Sequence, residues 1–376
     1  MQCKTALIYC DEYDKYNFGK GHPFQPIRLK LTIDLMEEMN LLHSDRVSCH
    51  TPKMASEEDL LTVHSEEYVD MIKRMSRVGK GLVDTGDTPI VKGVYEATRF
   101  IVGGSILGAD LIMTGEVNHA FNPGGGLHHA GKEEGKGFCI FNDIAVATRH
   151  LQRNHGVKRV AIIDIDGHHG DGTQEIFYEE SLLTISFHRI DIYPLSGYIS
   201  EMGRGDGKGY KVNVPLSQGT DHDSFLYAFE EVVSPLIRKY EPEILLCQFG
   251  VDSHFQDPLV GLGLTTRSYV EISRILHDLA HEVCEGRLLL FGGGGYNPKN
   301  VARCWTLMFA VVSGLLTDKT FRKFERIQDK VNPRGSSNSV QRVKNVVMRI
   351  KQKLFPFHGL SLDNNRVDSH HRNRVH

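Results

Sequence analysis

The 376-residue sequence lacks the marks of a secreted or membrane-spanning protein. It has only seven cysteines and no CxxC pair, so scattered, reduced thiols are expected rather than a disulfide framework. Its longest apolar run, 305–316, is too short to cross a bilayer, and the first 14 residues lack a signal-peptide pattern. We therefore expect a soluble, cytoplasmic protein.

Strong basic charge is also missing from most of the chain. Residues 319–376 carry 14 Lys and Arg against 4 Asp and Glu, which leaves the rest of the chain with a net charge of −13. An acidic body argues against nucleic acid as the main ligand, since proteins that bind it usually present a basic face. Nucleic-acid contact by the basic tail is therefore a less favoured alternative.

The basic tail contains one helical pattern. Apolar residues at helical spacing predict a helix over 340–354, namely Val340, Val343, Val347, Ile350 and Leu354. The favoured interpretation is a helix docked on the body, and contact with a nucleic acid or a membrane surface is the alternative. Beyond Asp363 the chain is polar, and we expect it to be disordered.

The body, residues 1–318, alternates apolar runs with amphipathic stretches. Helices are predicted at 29–39, 225–239 and 266–283, and strands at 5–10, 119–122, 159–165, 182–187, 244–249 and 288–291. Uninterrupted Val, Ile and Leu runs are typical of strands buried on both faces of a parallel sheet. The sequence predicts a single-domain α/β fold, with a parallel sheet sandwiched by helices and an active site at the carboxyl ends of the strands.

The segment IIDIDGHHGDG, 162–172, is the strongest chemical signal. Alternate residues of a strand point to one side, so Asp164, Asp166 and His168 can converge where the strand ends. Carboxylates and neutral imidazole are ligands for Zn²⁺, and buried carboxylates are costly unless they are paired or bound to metal. Asp252 follows a second apolar strand and would complete a three-ligand site with one open position.

Two glycine-rich loops follow other predicted strands. NPGGGLHHAG, 122–131, carries the adjacent His128 and His129, and histidine is well suited to proton transfer near neutral pH. This loop lacks the GK[ST] ending of a phosphate-binding loop. LFGGGGYNPKNVARCW, 290–305, places Tyr296 at a strand exit, where its hydroxyl can donate to a developing oxyanion or simply pack in a turn.

Together these segments resemble the zinc-dependent histone deacetylase family of the arginase/deacetylase superfamily, and its acetoin-utilisation-type bacterial and archaeal members. The match begins at YNFGKGHPFQPIR, 16–28, and continues through GGGLHHAG, GKGFCIFNDIAVA, DIDGHHGDG, FGVDSHFQDPL and GGGGYNPKNVARCW. These long motifs, in the family's order, cover residues 7–316. The resemblance implies the arginase/deacetylase fold and hydrolytic removal of an acetyl group.

The resemblance also implies a role for each residue of the metal centre. Zn²⁺, or Fe²⁺, which accepts the same ligand types, would be held by Asp166, His168 and Asp252. A K⁺ or Na⁺ ion nearby would be held by Asp164, Asp166, His168, Ser186 and Phe187. His129 would be the general base, oriented by Asp171, while His128 would act electrostatically, oriented by Asp164. Tyr296 would polarise the acetyl carbonyl.

Other residues would shape the path of the substrate. The resemblance implies a tunnel for the acyl-lysine side chain, whose walls and rim would be formed by Gly137, Phe138, Tyr193, Leu259 and Asp87. Tyr193 would face Phe138 across the tunnel, in a loop (IYPLSG) that departs from the family's FPGTG-like sequence. Arg28 would lie in an internal cavity below the metal.

The expected activity is metal-dependent hydrolysis of acetyl-lysine side chains, with an acetylated protein or peptide as the partner. Acetylpolyamine deacetylation stays open because its metal centre would be the same, although the leucine before the paired histidines favours the protein-deacetylase branch. A non-catalytic acyl-lysine binding protein or scaffold is the alternative outside catalysis. An arginase-like two-metal enzyme is opposed by GLHHAG, which offers no acid for a second ion.

Overall fold

The structure is a computed structural model that describes residues 3–84, 86 and 88–361. In this part of the chain eight parallel strands form one sheet in the order β2-β1-β3-β8-β7-β4-β5-β6. Their bounds are β1 Thr5–Ile8, β2 Val47–His50, β3 His119–Asn122, β4 Val160–Asp164, β5 Leu183–Arg189, β6 Lys211–Leu216, β7 Ile244–Gln248 and β8 Leu288–Phe291. The predicted single parallel sheet is confirmed.

Apolar sequence explains the inner strands, which are buried on both faces. β4 (VAIID), β7 (ILLCQ) and β8 (LLLF) are buried along their whole length. All six predicted strands are present, with ends displaced by at most two residues. The sequence did not predict β2 and β6, the two edge strands, because VSCH is short and partly exposed and KVNVPL mixes Lys, Asn and Pro with its valines.

Helices cover both faces of the sheet. They are α1 Ile27–Glu38, α2 Glu57–Leu60, α3 Glu66–Val78, α4 Val94–Met113, α5 Asp143–Asn154, α6 Asp171–Ile176, α7 His222–Tyr240, α8 Thr266–Val283, α9 Pro298–Val312, α10 Phe321–Phe324 and α11 Ser337–Leu354. Phe121 of β3 packs on Trp305 of α9, with ring centroids 5.8 Å apart, whereas the next residue, Asn122, donates to Ile101 of α4. Since successive strand residues face opposite sides, two helical layers enclose the sheet.

The helix of the basic tail, α11, packs on the body. Its apolar face is buried against α7 and the edge strand β6, through Val343, Val347, Ile350 and Leu354. Lys351 pairs with Glu231 of α7. The helix therefore covers a sheet edge that would otherwise expose unpaired backbone groups. The domain division at residue 318 stays a prediction, and the end predicted to be disordered, beyond Asp363, lies outside the described residues.

Every helix in the described ranges is too short or too polar to span a membrane.

Candidate active site

Three ligand-type side chains meet where two neighbouring strands end. β4 and β7 pair in parallel, so the segments that follow them leave the sheet side by side. Asp166 and His168 follow β4, and Asp252 follows β7. Nδ1 of His168 lies 2.8 Å from Oδ2 of Asp252 and 3.3 Å from Oδ1 of Asp166. One ligand atom from each residue lies within 4.8 Å of the other two.

This cluster fits a divalent cation. All three side chains are buried, and two buried carboxylates side by side repel each other unless a positive charge lies between them. Burial and the neighbouring Asp166 raise the pKa of the Asp252 carboxyl. A bound cation would favour the ionised form of both carboxylates. Two carboxylates and one imidazole form a donor set that suits Zn²⁺ and Fe²⁺.

Groups that the sequence analysis did not single out position these ligands. Gln248, the last residue of β7, donates from Nε2 to Oδ2 of Asp166 at 2.6 Å, and the backbone of Gly294 donates to the same oxygen at 2.7 Å. The backbone of Gly167 donates to Oδ1 of Asp252 at 2.6 Å. A buried glutamine inside the apolar run ILLCQ was a signal that could have identified Gln248.

The paired histidines each contact a carboxylate. Nδ1 of His128 lies 2.7 Å from Asp164, and Nδ1 of His129 lies 2.6 Å from Asp171. Burial lowers the pKa of His128, but Asp164 and other nearby carboxylates outweigh it and raise this pKa to about 9. Burial and the neighbouring His128 lower the pKa of His129 to about 4. The two rings lie only 4.1 Å apart, yet their pKa values are shifted in opposite directions.

The glycine-rich loop that carries these histidines is fixed by the start of α5. The buried carboxylate of Asp143 accepts hydrogen bonds from the backbone of Gly126 and Leu127, at 3.0 and 2.8 Å. Asn142 donates to the carbonyl of Ala130 at 3.1 Å. The motif GFCIFNDIAVA contains both anchoring residues, but the sequence analysis gave neither a role.

Tyr296 lies beside the same cluster as the histidine pair. Its ring centroid is 6.1 Å from that of His168, and the ring centroid of His129 is 6.0 Å from that of His168. Burial and the neighbouring carboxylates raise the pKa of Tyr296 well above its ordinary value, so its hydroxyl stays protonated. Asp257, which the sequence analysis did not single out, accepts from the backbone of Tyr296 at 2.8 Å.

A family-model comparison matches residues 22–312 to the histone deacetylase domain. The chain belongs to the histone deacetylase family. It is 39% identical over 326 residues to the acetoin utilization protein AcuC of Bacillus subtilis (strain 168). The aligned region covers 82% of this chain and 83% of the relative. It is 38% identical over 297 residues to a probable deacetylase of Archaeoglobus fulgidus, which covers 78% of this chain and 81% of that one.

Solved structures agree with this assignment. The HDA15 HD domain matches with a TM-score of 0.81 at 28% identity, covering 95% of this chain and 98% of that domain. An HDAC homolog complexed with SAHA matches with a TM-score of 0.80 at 28% identity, covering 93% and 100%. The chain is therefore a deacetylase with the histone deacetylase fold, similar to the AcuC proteins, and the family and fold that the motifs indicated are confirmed.

The predicted walls of a deacetylase tunnel border this site. Gly137 and Phe138 both have left-handed backbone, with φ of +56° and +67°. Phe138 is fixed there because its amide donates to Thr88 and its carbonyl accepts from Tyr16, and its ring lies 6.0 Å from that of Tyr296. This conformation strains Phe138 but not Gly137, and strained non-glycine residues cluster at functional sites.

Tyr193 also reaches the site, from the loop after β5. Its ring lies 5.1 Å from that of His129 and 6.4 Å from that of His168, while 44% of the residue is exposed. The buried His188 contacts the end of this loop, because its Nε2 lies 3.0 Å from the carbonyl oxygen of Gly197. The structure thus brings Tyr193 to the entrance, despite the unusual sequence of its loop.

The remaining predicted residues lie around the centre. Leu259 is 42% exposed at the rim, and its amide donates to Asp257. Arg28 is buried beside Phe24, with its guanidinium 4.0 Å from that ring, and it lines a small internal cavity. Asp164 and Ser186 are register partners on β4 and β5, and the monovalent cation there stays a prediction. Asp87 lies outside the described residues.

One residue at the entrance was not predicted. The ring of His22 lies 4.5 Å from that of Phe138 in an edge-on arrangement. It belongs to the motif YNFGKGHPFQPIR, which contributed to the family resemblance. Within that motif, only Arg28 was given a role.

Proposed function

We propose that this chain hydrolyses the acetyl-lysine side chains of proteins, using one divalent metal ion held by Asp166, His168 and Asp252. One observation carries the proposal: the imidazole of His129 and the phenol of Tyr296 flank His168, with ring centroids 6.0 and 6.1 Å away. A proton acceptor and a hydrogen-bond donor thus both lie beside one ligand cluster. Zn²⁺, or Fe²⁺ in the same ligands, would supply an acidified water and a polarised carbonyl.

His129 is the proposed general base. It lies on the entrance side, against Tyr193 and Gly137, whereas His128 lies deeper, between Asp164 and Asp166. His129 accepts the proton of the attacking water and later donates it to the amine, which leaves towards solvent. Asp171 fixes its ring and its tautomer. His128 contributes positive charge beside the reaction centre.

Tyr296 is the proposed oxyanion donor. Its hydroxyl remains protonated because the surrounding carboxylates and burial oppose its ionisation. It donates a hydrogen bond to the carbonyl oxygen as negative charge develops there, which is more stabilising in a dry site than in water. Asp257 positions Tyr296 by accepting a hydrogen bond from its backbone amide.

Substrate shape supports an acetylated lysine. Phe138 and Tyr193 border the entrance to the cluster, and aromatic walls of this kind suit the aliphatic stem of a lysine side chain. The rim residue Leu259 is exposed and so is available to contact the substrate backbone. We propose that the acetyl group reaches the metal ligands between these rings.

An acidic groove beside the entrance favours a positively charged substrate. Its lining includes Pro194 and the acidic residues Asp171, Glu175, Glu179, Glu180 and Glu201; Arg204, also in the lining, pairs with Glu179, so acidic residues outnumber basic ones. A basic peptide and an acetylated polyamine would both be attracted to it. Acetylpolyamine deacetylation is therefore the second candidate, and it uses the same catalytic residues.

Kinetics on paired substrates distinguish these candidates. The zinc-loaded protein is assayed with N-acetylputrescine and with acetyl-lysine peptides that carry either arginine or glutamate beside the modified residue. We expect kcat/KM to be highest for the arginine peptide and to fall for it in Glu175→Gln but not in Glu285→Gln, a remote exposed control. Turnover of N-acetylputrescine alone would overturn the protein-substrate proposal.

A further inference from the structure

A second group of metal-ligand side chains lies at the amino-terminal end of the strands, where β3 begins. The candidate active site lies at the other end, where the strands finish. His119 is the first residue of β3, and His277 and His281 lie four residues apart on one face of α8. Cys3 lies two residues before β1, the strand next to β3. One ligand atom each from Cys3, His119 and His281 lies within 4.8 Å of the other two.

The hydrogen bonds of these imidazoles leave one nitrogen unused. Nε2 of His119 lies 3.0 Å from Nδ1 of His277. Nδ1 of His119 is buried and has no hydrogen-bond partner among the described residues. Buried polar atoms are nearly always hydrogen-bonded, so such an atom requires an explanation. In the same part of the chain, no carboxylate is hydrogen-bonded to any of the three rings.

The donor types of this cluster and their access to solvent suit a metal ion. Neutral imidazole and thiolate are the ligands that Zn²⁺ and related ions prefer. His281 is exposed and Cys3 is partly exposed, so an ion can enter from solvent.

Another cluster in the described chain has a simpler explanation. Asp110, His150 and His155 also lie close enough for a metal, but one oxygen of Asp110 accepts from both imidazoles, at 2.6 and 2.7 Å. These groups already satisfy one another. The cluster around His119 differs because it has an unpartnered nitrogen and a thiol.

We propose that Cys3, His119 and His281 form a second, stabilising site for a thiophilic divalent ion of the Zn²⁺ class, with solvent in the fourth position. His277 positions the ring of His119 through the hydrogen bond to its other nitrogen, as second-layer partners of metal-bound histidines do. Metal–ligand bonds of about 2.0–2.3 Å require the three donor atoms to move slightly closer, which rotation of the exposed His281 allows. Binding releases the thiol proton of Cys3 to solvent.

The proposed ion would join segments that are distant in sequence. It would link the residues before β1 to the start of β3 and to α8. Since it would bind the folded chain more tightly than the unfolded one, it would raise the midpoint of thermal unfolding roughly with the logarithm of its free concentration. This site lies apart from the deacetylase centre and does not depend on the proposed substrate or mechanism.

Cobalt titration tests the site. Metal-stripped, reduced full-length protein is titrated with Co²⁺, and absorption from thiolate-to-cobalt charge transfer is followed; the proposed catalytic ligands include no thiolate. We expect the band in the wild type, its loss in Cys3→Ser and at least tenfold weaker binding in His281→Gln. Both variants should retain the deacetylase turnover of the wild type, which shows that they fold.

Two control variants isolate the proposed ligands. Cys49→Ser removes another exposed thiol, and Asp110→Asn disrupts the alternative cluster. Both should keep the charge-transfer band and its affinity. A wild type without the band at stoichiometric Co²⁺, or a band that survives Cys3→Ser, would overturn the proposal.

Discussion

Nδ1 of His129 lies 2.6 Å from Oδ1 of Asp171, the first residue of α6. The other oxygen of Asp171 lies 3.2 Å from the ammonium group of Lys136. The carboxylate thus orients the imidazole, while Lys136 offsets part of its charge. This arrangement leaves Nε2 of His129 available to exchange a proton at the reaction centre.

Removing this imidazole should abolish most turnover without removing the metal. We expect His129→Ala to lose about 10²–10⁴-fold in kcat, the usual contribution of general acid–base catalysis. Zinc content, measured on the same preparation, should equal that of the wild type, since His129 is not one of the proposed zinc ligands. The matched control is His155→Ala, a partly buried histidine remote from the site. Turnover near that of the wild type in His129→Ala would remove it from the base role.

The phenol of Tyr296 should act on kcat rather than on substrate binding. Tyr296→Phe deletes only the hydroxyl, so we expect kcat to fall about 10²–10³-fold, as when one oxyanion donor is lost, with little change in KM. Tyr198→Phe, on the exposed neighbouring loop, is the control and should have no effect. A rise in KM alone would show instead that Tyr296 binds substrate without stabilising the transition state.

Turnover should require glycine at position 137, because a side chain there would collide with His129. A Cβ there would lie 2.4 Å from the ring of His129, and the backbone φ is +56°. Gly115 has a similar φ of +77° but nothing within 4 Å. Both alanine variants should lose about 1–2 kcal/mol of stability through left-handed strain, while only Gly137→Ala should lose most of its kcat. Equal turnover in the two variants would contradict the close packing against His129.

The helix α11 should stabilise the fold through its buried face. Ile350 is fully buried, whereas Met348 is 50% exposed. We expect Ile350→Ala to lower the free energy of unfolding by about 2–5 kcal/mol in urea titrations, and Met348→Ala to change it by less than about 0.5 kcal/mol. Equal effects would show that the helix does not depend on its contact with α7 and β6.

Asp329 should make stability depend on pH. Its carboxylate accepts from His254, from the backbone of Thr266 and from Arg303, each at 2.8 Å. Burial opposes ionisation, but these donors outweigh it and hold the pKa of Asp329 well below its ordinary value. The stabilisation is therefore complete above the unfolded pKa of about 3.9 and is lost as the pH falls below it.

The comparison of Asp329→Asn with the wild type measures this effect. The difference in unfolding free energy should be largest near pH 7 and should shrink between about pH 4 and pH 2. Asp223→Asn, whose side chain is 86% exposed, is the control and should show no such trend. A difference that is the same at every pH would show that the ionisation of Asp329 does not contribute.

Much of the site could be predicted because its chemistry is local in sequence. Asp164, Asp166 and His168 alternate along one strand exit, and the adjacent histidines occupy one loop, so the pattern itself indicates their convergence. Gln248, Asp143 and Asp257 could not be assigned roles in this way. They act by hydrogen bonds to segments 17–122 residues away, which only the fold brings into contact.

The edge strands were harder to predict for a different reason. β2 and β6 are each paired on one side only, so their sequences need not be continuously apolar. β6 includes the buried Lys211, which donates to the carbonyl oxygen of Glu180 at 3.0 Å. The helix α11, which packs against β6, comes from the basic tail. The charge pattern of this tail was compatible both with docking on the body and with a separate binding role.

Reconstitution with metal tests the central claim most directly. Turnover of an acetyl-lysine peptide is measured on chelator-stripped protein, before and after addition of Zn²⁺, for the wild type and for Asp166→Asn. We predict that stripped wild type is inactive, that Zn²⁺ restores its turnover, and that Asp166→Asn stays inactive at the same zinc concentration. Full turnover by the stripped wild type, or restoration of Asp166→Asn by stoichiometric Zn²⁺, would contradict a deacetylase centred on Asp166, His168 and Asp252.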